Sequence, residues 1–191
     1  MKRTWIIVLV ILGIIFLGGC SSYNGLVDKQ VEVEKEWGNV QTQYQRRADV
    51  LINLMETVKG AAANEKDILT AVTNARAGIT EAKEAMKEAK SPAELNLLLQ
   101  KVQASASSIK LTFEAYPTIR STEAFLKFQD EIAGTENRIS TVRERYNGVV
   151  GEYNKSTRKF PTVIFAKLFG FDAKEFFEAD KGAEDAPKIK F

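Results

Sequence analysis

The sequence predicts an all-α protein. The expected architecture is an antiparallel up-down-up-down four-helix bundle of long helices, with an N-terminal membrane anchor or lipoprotein signal and a short Phe-rich C-terminal segment packed on the bundle base. Three observations predict it. From Val27 onward apolar residues recur at alternating steps of three and four, the mark of a helix seam, and no stretch alternates as a strand would. Of the four prolines, Pro92 and Pro117 fall at joints between seams. Residues 1–20 differ from everything that follows: a basic pair, Lys2 and Arg3, and then an uncharged apolar run from Trp5 to Leu17.

That run is short for a transmembrane helix, which needs about 17 to 25 apolar residues. It suits a signal peptide better, with its basic start, apolar centre and small residues at the end. The sequence LGGC, Leu17 to Cys20, resembles a bacterial lipobox, which makes Cys20 a lipidation candidate. An uncleaved N-terminal anchor helix is the other reading. In both, Lys2 and Arg3 stay in the cytoplasm and the body lies outside.

The bundle is expected over residues 21–159. Helix one covers about 27–64, with the seam Val33, Trp37, Val40, Tyr44, Arg47, Leu51, Leu54 and Val58. Helix two covers about 65–90, with Ile68, Val72, Ala75, Ile79, Ala82, Met86 and Ala89. The stretch SPAE then opens helix three, about 92–116: Ser91 is its N-cap, Pro92 its first helical position, and Glu94 closes a capping box. Its seam is Leu95, Leu98, Val102, Ser105, Ile109 and Phe113, and Pro117 ends it by disfavouring helix at Tyr116. Helix four covers about 121–158, with Phe125, Phe128, Ile132, Thr135, Ile139, Val142, Tyr146, Val149 and Tyr153.

Helices one and four are each about 57 Å long and the middle pair about 39 Å, at 1.5 Å per residue. The membrane-proximal base therefore has two helices where the top has four. Residues 160–178 are expected to fill that gap, bringing Phe160, Phe165, Phe169, Phe176 and Phe177 to Trp37 and Tyr153. Asp172 and Glu175 sit at capping-box spacing for a short helix. The rival is an interfacial segment whose phenylalanines dip into lipid. Residues 179–191 read as a flexible end.

Composition excludes much chemistry. The 191 residues hold no histidine and one cysteine, which removes His-based acid–base schemes, the usual zinc sites and any intramolecular disulfide. A net charge of +2 gives no field for nucleic acid. No cofactor, metal or catalytic residue is expected. The arginine pair Arg46–Arg47 is the feature that invites a site. Helical phasing turns Arg46 outward and places Arg47 in the seam, where a charge costs stability unless paired and is often kept for register. Rough register puts Glu136 of helix four and Glu81 of helix two at its level, as partners in a buried polar clamp. Asp49 and Arg138 form a second, more exposed candidate pair.

Long motifs then point to a family. YNGLVDKQVEVEKEWGNVQTQYQRRADVLINLMETVKG, NARA (74–77), YPTIRSTEAFLKFQDEIAGTENRISTVRERYNGVVGEYN (116–154) and the closing FP…GF…FFE resemble the LemA family of bacterial membrane-associated proteins, over about residues 23–178. The family pattern, like RRADLIPNL, carries a proline ahead of the asparagine–leucine. Here the chain reads Val50-Leu51-Ile52-Asn53-Leu54, so a straighter first helix is expected. The resemblance implies an N-terminally anchored helical bundle in the bacterial envelope, with no settled biochemical activity. Two functions are expected from different classes. One is a non-enzymatic scaffold or interaction protein with envelope protein partners. The other is a module that binds a small apolar ligand, lipid or peptide at the bundle base. Long heptad helices also leave homo-oligomers open.

Overall fold

A computed structural model describes residues 2–61, 66–114 and 123–178. It is all-helical, with no strand among the described residues. The elements are α1 (Lys2–Ala61), α2 (Lys66–Glu88), α3 (Pro92–Glu114), α4 (Glu123–Arg158) and α5 (Thr162–Phe169). The side chains of Val58, Phe113, Phe125 and Phe128, four expected seam positions, lie outside the described set, as do residues 62–65, 115–122 and 179–191.

The largest difference from the expected boundaries is α1. It does not begin near Val27 but runs unbroken from Lys2, straight through Leu17–Cys20. No proline interrupts this stretch, and the penalty of Ile and Val against better helix formers, under about 0.7 kcal/mol per residue, is too small to end the helix. Its apolar residues lie in the open: Trp5, Ile6, Leu9 and Leu17 are all more than half exposed. Among the described residues no helix is long and apolar enough to cross a membrane.

The core follows from the seams. Val33, Val40, Tyr44, Ala48, Leu51 and Met55 of α1 are buried. So is every expected position of α2 from Ile68 to Met86, with Ala89 beyond its end. From α3 come Leu95, Leu98, Leu99, Val102, Ala106 and Ile109, and from α4 Ile139, Tyr146, Val150 and Tyr153. Each fully buried aliphatic side chain contributes about 1.5–3 kcal/mol. Helix α1 packs along α4 and against α2, and α2 packs against α3, whereas among the described residues α3 and α4 scarcely approach each other.

Local signals set the joints. Ser91 caps α3 by accepting the Glu94 N–H at 3.2 Å, while Glu94 reaches back to the N–H of Lys90, one residue earlier than in a regular capping box. Gln41 of α1 donates to the Met86 and Ala89 carbonyls, serving acceptors that the end of α2 leaves unpaired. Gly170, with φ +73°, ends α5 in the left-handed conformation that glycine adopts without strain.

Cavity formation in this core has a direct measure. Ile79→Ala is expected to cost about 2–5 kcal/mol in urea unfolding, because Ile79 is fully buried. Leu97→Ala on the same scaffold is expected to cost under about 0.5 kcal/mol, because Leu97 is 57% exposed.

Candidate functional site

Two places gather polar chemistry. The first lies where α3 and α4 stay apart. Arg47 rises from α1 beneath this cleft and is only 3% exposed. Its Nη2 donates to Glu136 Oε1 at 3.1 Å, and the same oxygen accepts from Gln103 Nε2 at 3.4 Å across the cleft. The Glu136 side chain is 56% exposed, so water screens one half of the pair. Nε and Nη1 of Arg47 are buried and have no hydrogen-bond partner among the described residues.

A second arginine closes the same cleft nearer the base. Arg143 Nε donates to Tyr44 Oη at 2.6 Å, and its Nη2 donates to Asn96 Oδ1 at 2.7 Å. The Tyr44 hydroxyl donates to that same Asn96 oxygen at 3.1 Å. The triangle ties α3 to the packed pair of α1 and α4 through side chains, where the described backbones of α3 and α4 stand apart. Between the two arginines lies a hollow of about 290 Å³ lined mainly by polar residues, including Gln100, Asn137 and Ser140.

Of the expected clamp, the structure brings Arg47 and Glu136 together and leaves Glu81 out. Glu81 is exposed, and α2 meets α1 on a different side from the cleft. Asp49 pairs with Lys83 of α2 at 2.5 Å rather than with Arg138. Asp49 lies two positions beyond Arg47, about 200° around the helix, and so faces α2.

The second place is the base. Helix α5 packs on both α1 and α4. Its Phe165 sits over Gly19, where an added Cβ would lie 2.8 Å from the ring. Phe169 and Phe171 meet Tyr23 edge-on, at 5.1 and 5.5 Å between centroids. Residues 171–178 then run extended along α4. The helix suggested by Asp172 and Glu175 does not form there, because two asparagines hold the main chain open. Asn154 donates to the Lys174 carbonyl and accepts its N–H, both at 2.8 Å. Asn147 does the same for Phe177, at 2.9 and 2.8 Å. Two helical turns advance about 10.5 Å, and three extended residues advance about 10 Å, so the two clamps fall in step.

This arrangement delivers one aromatic to the bundle. Phe177 is 5% exposed, stacks on Trp37 at 5.9 Å and meets Tyr146 edge-on at 5.2 Å. Tyr153 is fully buried on the same face of α4. Phe160 is 82% exposed and Phe169 52%, and Phe176 lies at the rim, so these three stay off the Trp37 cluster. Cys20 is exposed beside an apolar hollow of about 750 Å³ lined by Leu12, Tyr23, Phe165, Leu168 and Phe169.

Sequence reasoning missed Arg143, Asn96, Asn147 and Asn154. A signal existed for the last two: they lie seven apart, on the face that carries Tyr146, Val150 and Tyr153. Among the described residues no cluster of three or more His, Cys, Asp or Glu could hold a metal ion.

Comparison with known proteins covers most of the chain. A model described as the LemA family matches residues 36–191. The chain is similar to magnetosome protein MamQ 2 of Paramagnetospirillum magneticum, at 27% identity over 87% of this chain and 68% of that protein. It is also similar to protein LemA of Metamycoplasma hominis, at 24% identity over 89% of this chain and 75% of that protein.

Two outcomes are expected at the base. Asn147→Ala should cost about 1–3 kcal/mol in urea unfolding, by orphaning the N–H and carbonyl of Phe177, and should red-shift Trp37 emission as the tail loosens. The hydroxyls of Tyr146 and Tyr153 are pushed above the usual tyrosine range, chiefly by burial, then by the carboxylates of Glu175 for Tyr146 and of Asp172 and Glu34 for Tyr153. The folded state thus holds these protons more tightly. Their contribution is fully present below the ordinary tyrosine pKa of about 10 and is lost as pH rises beyond it. The fall in urea midpoint between pH 9 and pH 11 should therefore be smaller in Tyr146→Phe than in the wild type.

Proposed function

We propose that this chain, which belongs to the LemA family, is a membrane-anchored, non-enzymatic scaffold or interaction protein of the bacterial cell envelope. The observation that carries this reading is the continuity of α1: one helix joins an exposed apolar leading segment to the helical body. The segment from Trp5 to Leu17 is about 20 Å long, against a hydrocarbon core of about 30 Å. Helix α5 lies beside its end and exposes Ile164, Leu168 and Phe169, which widens the apolar belt at the level of Gly19 to Tyr23. We read α5 as an interfacial helix and the basic pair Lys2 and Arg3 as the cytoplasmic end, which leaves the body outside.

The body itself is read as an antiparallel up-down-up-down four-helix bundle. Lys29 meets Glu152 and Arg47 meets Glu136, so residue numbers fall along α4 as they rise along α1. The absence of enzymatic activity is supported by the chemistry of the cleft, which offers charge and hydrogen bonds from arginine, amides and one carboxylate in a chain without histidine. Envelope proteins are the partners this reading requires.

The seat of Phe165 on Gly19, with Leu12 in the same hollow, favours a retained leading segment, because cleavage before Cys20 would remove both residues. Lipidation at Cys20 is the second reading, supported by the LGGC sequence and by the exposure of Cys20. A binding module at the base remains the alternative function, supported by the apolar hollow beside Cys20.

Mass spectrometry of the mature chain from native membranes tests the anchor. An N-terminus at or next to Met1 is expected, whereas a chain starting at acylated Cys20 would replace the retained segment by a lipid. Deleting residues 2–17 is expected to release the body from membranes washed at high salt. A deletion variant that stays bound would remove the leading segment as the anchor.

A further inference from the structure

We propose that the base of the molecule docks on a bilayer surface that contains anionic phospholipid, with the segment from Arg158 to Phe169 as the docking element. The proposal rests on the membrane anchorage read above and adds the class of lipid that the anchored body meets. The first observation is an apolar patch. Phe160 is 82% exposed, Leu168 72%, Ile164 55% and Phe169 52%. Phe165 seats α5 over Gly19, and Phe169 meets Tyr23, so the patch stands beside the end of the leading segment. Leu12, from within that segment, lines the same hollow as Phe165, Leu168 and Phe169. The patch is thus continuous with the exposed apolar surface of Trp5 to Leu17.

The second observation is charge. The whole chain is nearly balanced, with 27 basic and 25 acidic residues. At the base the balance is one-sided. Residues 153–171 hold Lys155, Arg158, Lys159 and Lys167 and no acid, and residues 4–27 of the adjoining α1 hold no charge at all. Lys155 leans to Glu152 at 3.9 Å. Arg158, Lys159 and Lys167 are exposed and make no ion pair with another described residue. The next acid, Asp172, falls beyond Gly170, which turns the chain out of α5.

Cations interleaved with exposed aromatic and aliphatic side chains suit the boundary between headgroups and acyl chains. The apolar groups enter it, and the long basic side chains reach outward to the phosphates. A zwitterionic surface would take the phenylalanines and leave the three cations without anions. An acidic protein would match the cations, but the patch adjoins the anchor's own apolar surface, where lipid is the neighbour. Three cations at an anionic surface strengthen docking by a factor on the order of a hundred at low salt.

Hydrogen exchange of the full chain in lipid nanodiscs tests this. The discs are of dioleoylphosphatidylcholine, alone or with about one-third dioleoylphosphatidylglycerol. At low salt the amides of α5 are expected to exchange at least about tenfold more slowly in the anionic discs, and those of α2 equally in both. Molar sodium chloride should abolish the difference. The triple variant Arg158→Gln/Lys159→Gln/Lys167→Gln should enter both discs as the wild type does and show no difference between them. Failure of the wild type to enter either disc would overturn the anchorage and the proposal with it. In a chain that does enter, the proposal alone is overturned by equal exchange of α5 in the two discs, by a difference that survives molar salt, or by a triple variant that keeps the difference.

Discussion

A guanidinium held out of water sets the terms for the middle of this molecule. Arg47 stands in the face of α1 where an aliphatic residue would complete the seam, and burying it unpaired would cost several kcal/mol. Glu136 of α4 answers the charge, which fixes the level at which α1 and α4 meet. That carboxylate stays half in water, so the helices on either side of it cannot close over the pair. The open interval between α3 and α4 follows, as does its bridging by Gln103, Asn96 and Arg143 rather than by interlocked aliphatic side chains. Stability is supplied elsewhere, by the core packing of α1 on both α2 and α4 and of α2 on α3.

The base solves a different problem with related means. Below the ends of α2 and α3 the long helices α1 and α4 expose Trp37, Tyr146 and Tyr153, which need cover. A further helix could supply it. The chain instead uses the short α5 and then an extended segment, whose main-chain polar groups need partners that a helix surface lacks. Asn147 and Asn154 provide them, each amide standing in for a neighbouring strand. Because the clamps grip main chain, they would hold almost any sequence. The choice of residue falls to Phe177, which fills the space between Trp37, Tyr44 and Tyr146. Gly19 and Gly170 make the rest of the path passable, one by admitting Phe165 and the other by turning the chain out of α5.

How much of this was legible in the sequence varies with the kind of interaction. The seam of helix α2 could be read completely, because its six positions from Ile68 to Met86 face α1 and α3 along one stripe and nothing competes with that pattern. On α1 the expected seam drifts, and Met55 is buried where Leu54 was expected, because a straight helix of 3.6 residues per turn slips against a 3.5-residue repeat. The level of Arg47 and Glu136 followed from helix lengths, whereas the side of α1 that faces each neighbour did not, and Glu81 and Asp49 were misassigned for that reason. The asparagine clamps and the Arg143 triangle depend on which main chain or side chain arrives from far along the sequence. The pattern of Asp172 and Glu175 spells a helix start that tertiary hydrogen bonds override.

Arg47 and Glu136 act as one energetic unit, tying α1 to α4 at the floor of an open cleft. A double-mutant cycle with Arg47→Met and Glu136→Gln, followed by urea unfolding, measures that directly. A coupling of about 1–3 kcal/mol is expected, with the double variant more stable than Glu136→Gln alone, because methionine removes the stranded charge. A coupling near zero, with the two losses simply adding, would contradict it.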